Sequence, residues 1–165
     1  MSTYTINANG SITIRDAQIF SRNFAGEEKP YNDRGKRNFC LVIDDPQLAE
    51  KLTSEGWNIK HFKQRDPDDE PAAFTQIGVN MGSKNPPLIR LNTSKGPIDL
   101  SESNLGLLDR ADLQTIDLTI NPYHWKDRAG NPGGVKGYLH TLIAKTYEDE
   151  LRDSAYTDDE ALPFN

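Results

Sequence analysis

The sequence is short of several things that would narrow its function. It has one cysteine, Cys40, so no internal disulfide can form. Cys40 lies in the apolar run Phe39-Cys40-Leu41-Val42-Ile43 and is expected to be a buried small hydrophobe rather than a reactive thiol. That run is the longest of its kind, far below the roughly 18 residues a membrane helix needs, so no membrane association is expected. The first twenty residues are polar and β-patterned rather than signal-like, which favours a cytoplasmic location. Histidines His61, His124 and His140 have no metal-ligand spacing, and the glycine-rich stretch from Gly130 to Gly137 lacks the P-loop register. No metal, cofactor or enzyme signature is present, and a length of 165 residues suits one domain.

Charge is present but unevenly placed. The net charge is -6, yet residues 1–147 hold 18 basic and 18 acidic side chains. Residues 148–165 hold one basic residue, Arg152, against seven acidic ones, so the tail carries the whole imbalance. With little apolar content to bury, 148–165 is expected to be a disordered acidic tail following a folded domain over 1–147. The tail ends in Asp158-Asp159-Glu160-Ala161-Leu162-Pro163-Phe164-Asn165, an apolar hook behind an acidic run, as a docking peptide would be built.

Periodicity along the body is mostly two. Ser11 to Phe20 alternates with one slip, predicting a long strand with a bulge near Asp16. Strands are also predicted over Lys36 to Asp44, Trp57 to Arg65, Phe74 to Met81, Leu88 to Asn92, Leu113 to Trp125 and Val135 to Tyr147. Pro46 to Glu55 is a short helix with Leu48, Ala49 and Leu52 on one side and Gly56 as its stop, and Ser101 to Arg110 forms a helical turn. Six or seven strands, long loops and one interposed helix fit a mostly β, OB-fold-like, partly open Greek-key barrel.

Aromatic residues recur beside bases: Phe24 and Tyr31 near Lys29 and Arg34, Phe39 beside Arg37, Trp57 and Phe62 among Lys60 and Lys63, Tyr123 and Trp125 against Lys126, and Tyr138 after Lys136. Single-strand binding needs such interleaving, because rings stack on any base while Lys and Arg follow the phosphates. Phe20, Phe39 and Trp57 are assigned to the core. In the last strand Lys136, Tyr138 and His140 share one face, and Val135, Leu139 and Ile143 the other. The candidate DNA contacts are therefore Phe24, Tyr31, Lys36, Arg37, Lys60, Phe62, Tyr123, Trp125, Lys126, Lys136 and Tyr138. Two other readings stay open: a metal-dependent nuclease using Asp66, Asp68, Asp69 and Glu70, and a β-rich structural or assembly protein.

Asn23-Phe24 through Asn38-Phe39, Gly56-Trp57-Asn58-Ile59-Lys60, Pro122-Tyr123-His124-Trp125, Gly137-Tyr138-Leu139 and the ending Asp158 to Phe164 together resemble the single-stranded DNA-binding proteins of bacteriophages. The resemblance implies an OB-fold that coats single-stranded DNA during phage replication, recombination and repair in the bacterial cytoplasm. It also implies recruitment of replication proteins by the tail, through Asp158, Asp159, Glu160, Leu162, Pro163 and Phe164. A homo-oligomer is compatible with the sequence.

Overall fold

A computed structural model describes residues 2–68 and 72–146. The acidic tail, with its partner-binding residues, and Asp69 and Glu70 of the acidic loop lie outside the described residues. The elements in chain order are β1 (Thr3–Ile6), β2 (Ile12–Arg15), β3 (Ile19–Asn23), β4 (Arg37–Ile43), α1 (Pro46–Ser54), β5 (Lys60–His61) and β6 (Ala73–Val79), continuing with β7 (Leu88–Thr93), β8 (Gly96–Asp99), a 3-10 turn (Leu105–Asp109), β9 (Leu113–Lys126) and β10 (Pro132–Thr146). The strands form one sheet in the order β1-β2-β9-β10-β6-β4-β3, with β5 on β6 and the β7–β8 hairpin on β10. The sheet does not close on itself, in keeping with the mostly β, partly open OB-like barrel expected of the sequence.

The predicted helix forms because its ends are well specified. Asp45 accepts hydrogen bonds from the Gln47 and Leu48 amides at 2.8 and 3.3 Å, and Pro46 occupies the first turn, where no amide is needed. Leu48, Ala49 and Leu52 face the core, and Gly56 at φ 101 ends the element.

Two predicted strands are broken, each for a geometric reason. The slip near Asp16 is a corner rather than a bulge: Asp16 takes φ 54, the Ala17 amide bonds to Ile116 O at 2.7 Å, and the chain leaves β9 to pair with β4. From Trp57 to Arg65 only β5 pairs as a strand. Trp57 is instead buried, bridges Val135, and lies against Gly137, where an added Cβ would come within 2.6 Å of the indole. Strands β1 and β8 are further elements, short and flanked by turns, that periodicity did not separate.

The last strand also departs from strict alternation. Val135 and Leu139 are buried as expected, but the register slips between Leu139 and Thr141, so Leu142, Ala144 and Thr146 turn inward. Ile143, expected beside Leu139, is consequently exposed. The core runs from Ile12 and Ile14 through Phe39, Leu41, Ile77, Leu118, Ile120 and Leu142, with Phe24 and Phe39 stacked at 5.2 Å.

Trp57→Ala should cost about 3–5 kcal/mol, because the indole fills the core against a glycine that cannot close the gap. Trp125→Ala, which removes a half-exposed ring, should cost about 1 kcal/mol or less. Urea unfolding of the two variants checks this, and equal losses would overturn the assignment of Trp57 to the core.

Candidate nucleic-acid interface

Alternation in the central strands decides which side chains face away from the core. In β4, Phe39, Leu41 and Ile43 are buried, which turns Asn38 and Cys40 to the opposite, outer face. In β6, Ala73, Thr75, Ile77 and Val79 are buried, leaving Phe74, Gln76 and Gly78 outward. Register then aligns these positions across the sheet. One row runs Asn38, Gly78, Tyr138, Asn121, and the next runs Phe20, Cys40, Gln76, Lys136, Tyr123. A third begins with Lys60 opposite Phe74.

Tyr138 rests on Gly78: a Cβ there would stand 2.7 Å from the ring, so only glycine lets the phenol lie across β6. Tyr123 meets it edge-on with centroids 6.0 Å apart. Further along the β9–β10 ribbon, Trp125 lies over Gly133 and Gly134. Tyr123 is 56% and Trp125 43% exposed, so both rings present surface to solvent. Clefts of about 430 and 410 Å³ flank Tyr138, one lined by Lys36, Asn38, Gln76 and Lys136, the other by Asn85, Asn121 and His140.

Basic groups converge on the same rows. Lys136 Nζ donates to Gln76 Oε1 at 2.8 Å and is half-buried. Burial pulls its pKa below the ordinary lysine range; the neighbouring Cys40 opposes that and the Lys36 charge reinforces it. Burial raises the Cys40 pKa, and Lys60 and Lys136 both pull it down, which brings two ammonium groups near one thiol. Cys40 is therefore no core residue: it sits half-buried on the outer face, not among Phe39, Leu41 and Ile43.

The loop before β4 borders this face and is held by amides. Asn32 Nδ2 donates to Glu27 O and Lys36 O, both at 3.0 Å, while its Oδ1 accepts from Asn38 Nδ2 at 2.8 Å. This braced loop carries Lys36 and Tyr31, the latter 87% exposed, to the edge of the first cleft.

Not every predicted contact reaches the face. Phe24 is fully buried against Phe39, and its amide donates to Asp109 Oδ1 at 2.7 Å, so it cannot stack on a base. Arg37 has the inward parity of Phe39; its guanidinium donates to Phe24 O and approaches Glu102 at 3.7 Å, with its side chain only 14% exposed. Its charge is spent on holding the loop. By alternation Lys126 falls on the face of the ribbon opposite Tyr123 and Trp125. Lys60 and Phe62 reach the outer face, at the end away from Tyr138.

Sequence reading missed Asn38, Gln76 and Gly78, along with the outward placement of Phe20 and Phe74. The signal was available for β6: assigning Ile77 and Val79 to one side leaves Phe74, Gln76 and Gly78 for the other.

The family model described as "Putative phage ssDNA-binding domain" matches residues 1–162. The chain belongs to this phage single-stranded DNA-binding domain family. Family members of this kind are binding proteins, so the nuclease alternative falls away. Among the described residues no three His, Cys, Asp or Glu side chains gather as a metal site, and no helix is long and apolar enough to cross a membrane. The single-stranded DNA-binding protein from bacteriophage Enc34, in complex with ssDNA, has a similar fold at a TM-score of 0.57 and 10% identity, covering 88% of this chain and 91% of that one. Its C-terminally truncated form gives 0.55, 10%, 88% and 91% in the same order. The protein gp2.5 encoded by bacteriophage T7 reaches a TM-score of only 0.40 at 13% identity, covering 97% of this chain and 100% of that one, too low to bear on the fold. No curated protein sequence matches the chain.

The depressed Lys136 pKa gives the interface a pH signature. Burial lowers the Lys136 pKa from the ordinary lysine value, so its ammonium loses its proton at a lower pH than an unperturbed lysine would. Affinity for a polyanion should therefore begin to fall at lower pH in the native chain than in Lys136→Arg, whose guanidinium stays charged. Binding of an oligonucleotide measured from neutral to alkaline pH checks this; coincident profiles would show that Lys136 bears no phosphate.

Proposed function

We propose that the chain binds single-stranded DNA with little regard to sequence, laying bases on Tyr138, Tyr123 and Trp125 and phosphates along Lys136, Lys36 and Lys60. The observation that carries this reading is Tyr138 packed against Gly78 beside the half-buried Lys136. Stacking rings accept any base, each worth ~1–3 kcal/mol, and lysines are point charges that read no sequence. Family membership and the fold shared with the Enc34 protein, whose structure holds ssDNA, support it. Tyr31, on its braced loop, adds a ring at the edge.

Coating of this kind serves replication, recombination and repair of phage DNA in the host cytoplasm. The acidic tail acts beside it in two ways. Tethered to a neutral body, it competes with phosphates for the basic face, and Leu162, Pro163 and Phe164 enter an apolar pocket on a replication or recombination protein.

Intrinsic tryptophan fluorescence titrated with oligo-dT should show tight binding, and the matching duplex much weaker binding. With three lysines on the face, log affinity should fall against log salt with a slope of about -2, taking roughly -0.7 per neutralised phosphate. Equal affinity for the duplex, or no salt dependence, would sink the proposal.

Truncation after Tyr147 should raise affinity for oligo-dT, most at low salt where screening is weakest, and should abolish capture of the partner protein. Unchanged affinity at low salt would remove the competition model, and retained partner binding would reduce the tail to a solubiliser.

A further inference from the structure

We propose that Phe20, Phe62 and Phe74 form a second base-stacking platform, so that one chain grips single-stranded DNA at two separate places. The inference rests on the outer-face reading above and extends it along the sheet. The three rings come from β3, from the residue after β5, and from β6, and they pack together with centroids 4.6, 5.3 and 5.5 Å apart. All three stand on the side of the sheet away from the core: Phe20 lies opposite Cys40, Phe74 is outward by alternation, and Phe62 shares the parity of Lys60. The solvent side of a sheet ordinarily carries polar residues. Here it carries three phenylalanines, with Phe62 still 40% exposed.

What surrounds the cluster points to a nucleic acid as its occupant. Lys60 lies opposite Phe74 in register, and Lys63 follows Phe62 with an exposed side chain. The cluster is also continuous with the first platform through the row of Cys40, Gln76 and Lys136. Between Phe20 and Tyr123 at its two ends, that row offers charge and an amide but no ring, which suits it to the backbone between two stacked segments. From Gly78 to Phe74 is four residues of β6, roughly 13 Å at ~3.3 Å per residue. A strand stacked at ~3.4 Å per nucleotide crosses that gap in about four nucleotides. A short oligonucleotide can therefore fill one platform, and only a longer one fills both.

The test uses the full chain with oligo-dT of about three nucleotides, too short to cross the gap, and of about sixteen, the upper limit of OB-fold site sizes. Trp125 fluorescence reports on the first platform, and ultraviolet crosslinking followed by peptide mapping reports on both. Phe62→Leu keeps an apolar side chain against Phe20 and Phe74 but removes the π face. It should weaken the long oligonucleotide roughly tenfold and leave the short one within about twofold. Crosslinks from the long oligonucleotide should appear in the Phe62 or Phe74 peptides as well as the Tyr138 peptide. Unchanged affinity of Phe62→Leu for the long oligonucleotide, with Tyr138→Ala weakened, would remove the second platform and hand the cluster to a protein ligand. Equal losses on both lengths would merge the two platforms into one. If Tyr138→Ala binds both lengths like the native chain, it is the first platform, and the proposed function with it, that fails. Should Phe62→Leu melt early, the crosslink map of the native chain decides: crosslinks confined to the Tyr138 side overturn the proposal.

Discussion

Within the sheet, a ladder only two residues long pairs the two halves of this molecule. Strands β1, β2, β9, β7 and β8 assemble on β10, while β3, β4 and β5 assemble on β6, and the two groups meet where β10 runs parallel to β6 at Gly137–Ile77 and Tyr138–Gly78. Both faces of that seam pair an aromatic ring with a glycine. On the inner side Trp57 lies on Gly137, and on the outer side Tyr138 lies on Gly78. Val135 adds a bridge to Trp57 and a 3.0 Å hydrogen bond from its amide to Gly56 O. Neither glycine could be replaced without moving a ring, so the packing that joins the halves also fixes where Tyr138 stands on the outer face. Structure and proposed function share one pair of adjacent residues.

The outer face works because it is only half dry. Lys136 is buried enough for its pKa to drop, yet it keeps a hydrogen bond to Gln76 and opens onto a cleft. A charge held there is less screened than one at the end of an extended side chain, so a phosphate brought against it meets a stronger field. The amides of Asn38 and Gln76 on the neighbouring positions are neutral, while Lys36 at the border of the cleft lies 3.8 Å from Asp33. Other acidic groups are engaged away from these rows: Asp109 caps the Phe24 and Ala25 amides, Asp45 caps α1, and Asp99 pairs with Arg90. A body with balanced charge thus acquires a basic surface through placement alone.

Period-two alternation made the middle of the sheet legible. Ile116, Leu118 and Ile120 point inward as their spacing requires, and Lys136 and Tyr138 share an outer face because β9 and β10 pair regularly from Gly134 to Leu139. Legibility fails where the count slips by one. The extra residue at His140 reverses every side chain beyond it, and the corner at Asp16 ends a strand whose alternation continues past it. The corner depends on a partner about a hundred residues away and the slip on one about twenty away across the β9–β10 ribbon, neither of which local pattern contains. Phe24 and Arg37 mislead for another reason: an aromatic beside a base looks the same whether it meets a nucleotide or packs under its own loop. Only β4's inward parity at Arg37, set by Phe39 and Leu41, separates the two cases.

The short seam also determines when the chain can become itself. Lys136 and Gln76, joined across it, are 60 residues apart in sequence, and Thr13 and Thr119 in the β2–β9 pairing are 106 apart. Such contacts repay their loop-closure entropy only after both partners have been positioned, which places the fold among those of high contact order that form slowly. Each half is a partial sheet with an uncovered edge until β10 arrives. Pairing of β10 with β6 is therefore what sets the Tyr138 ring against Gly78.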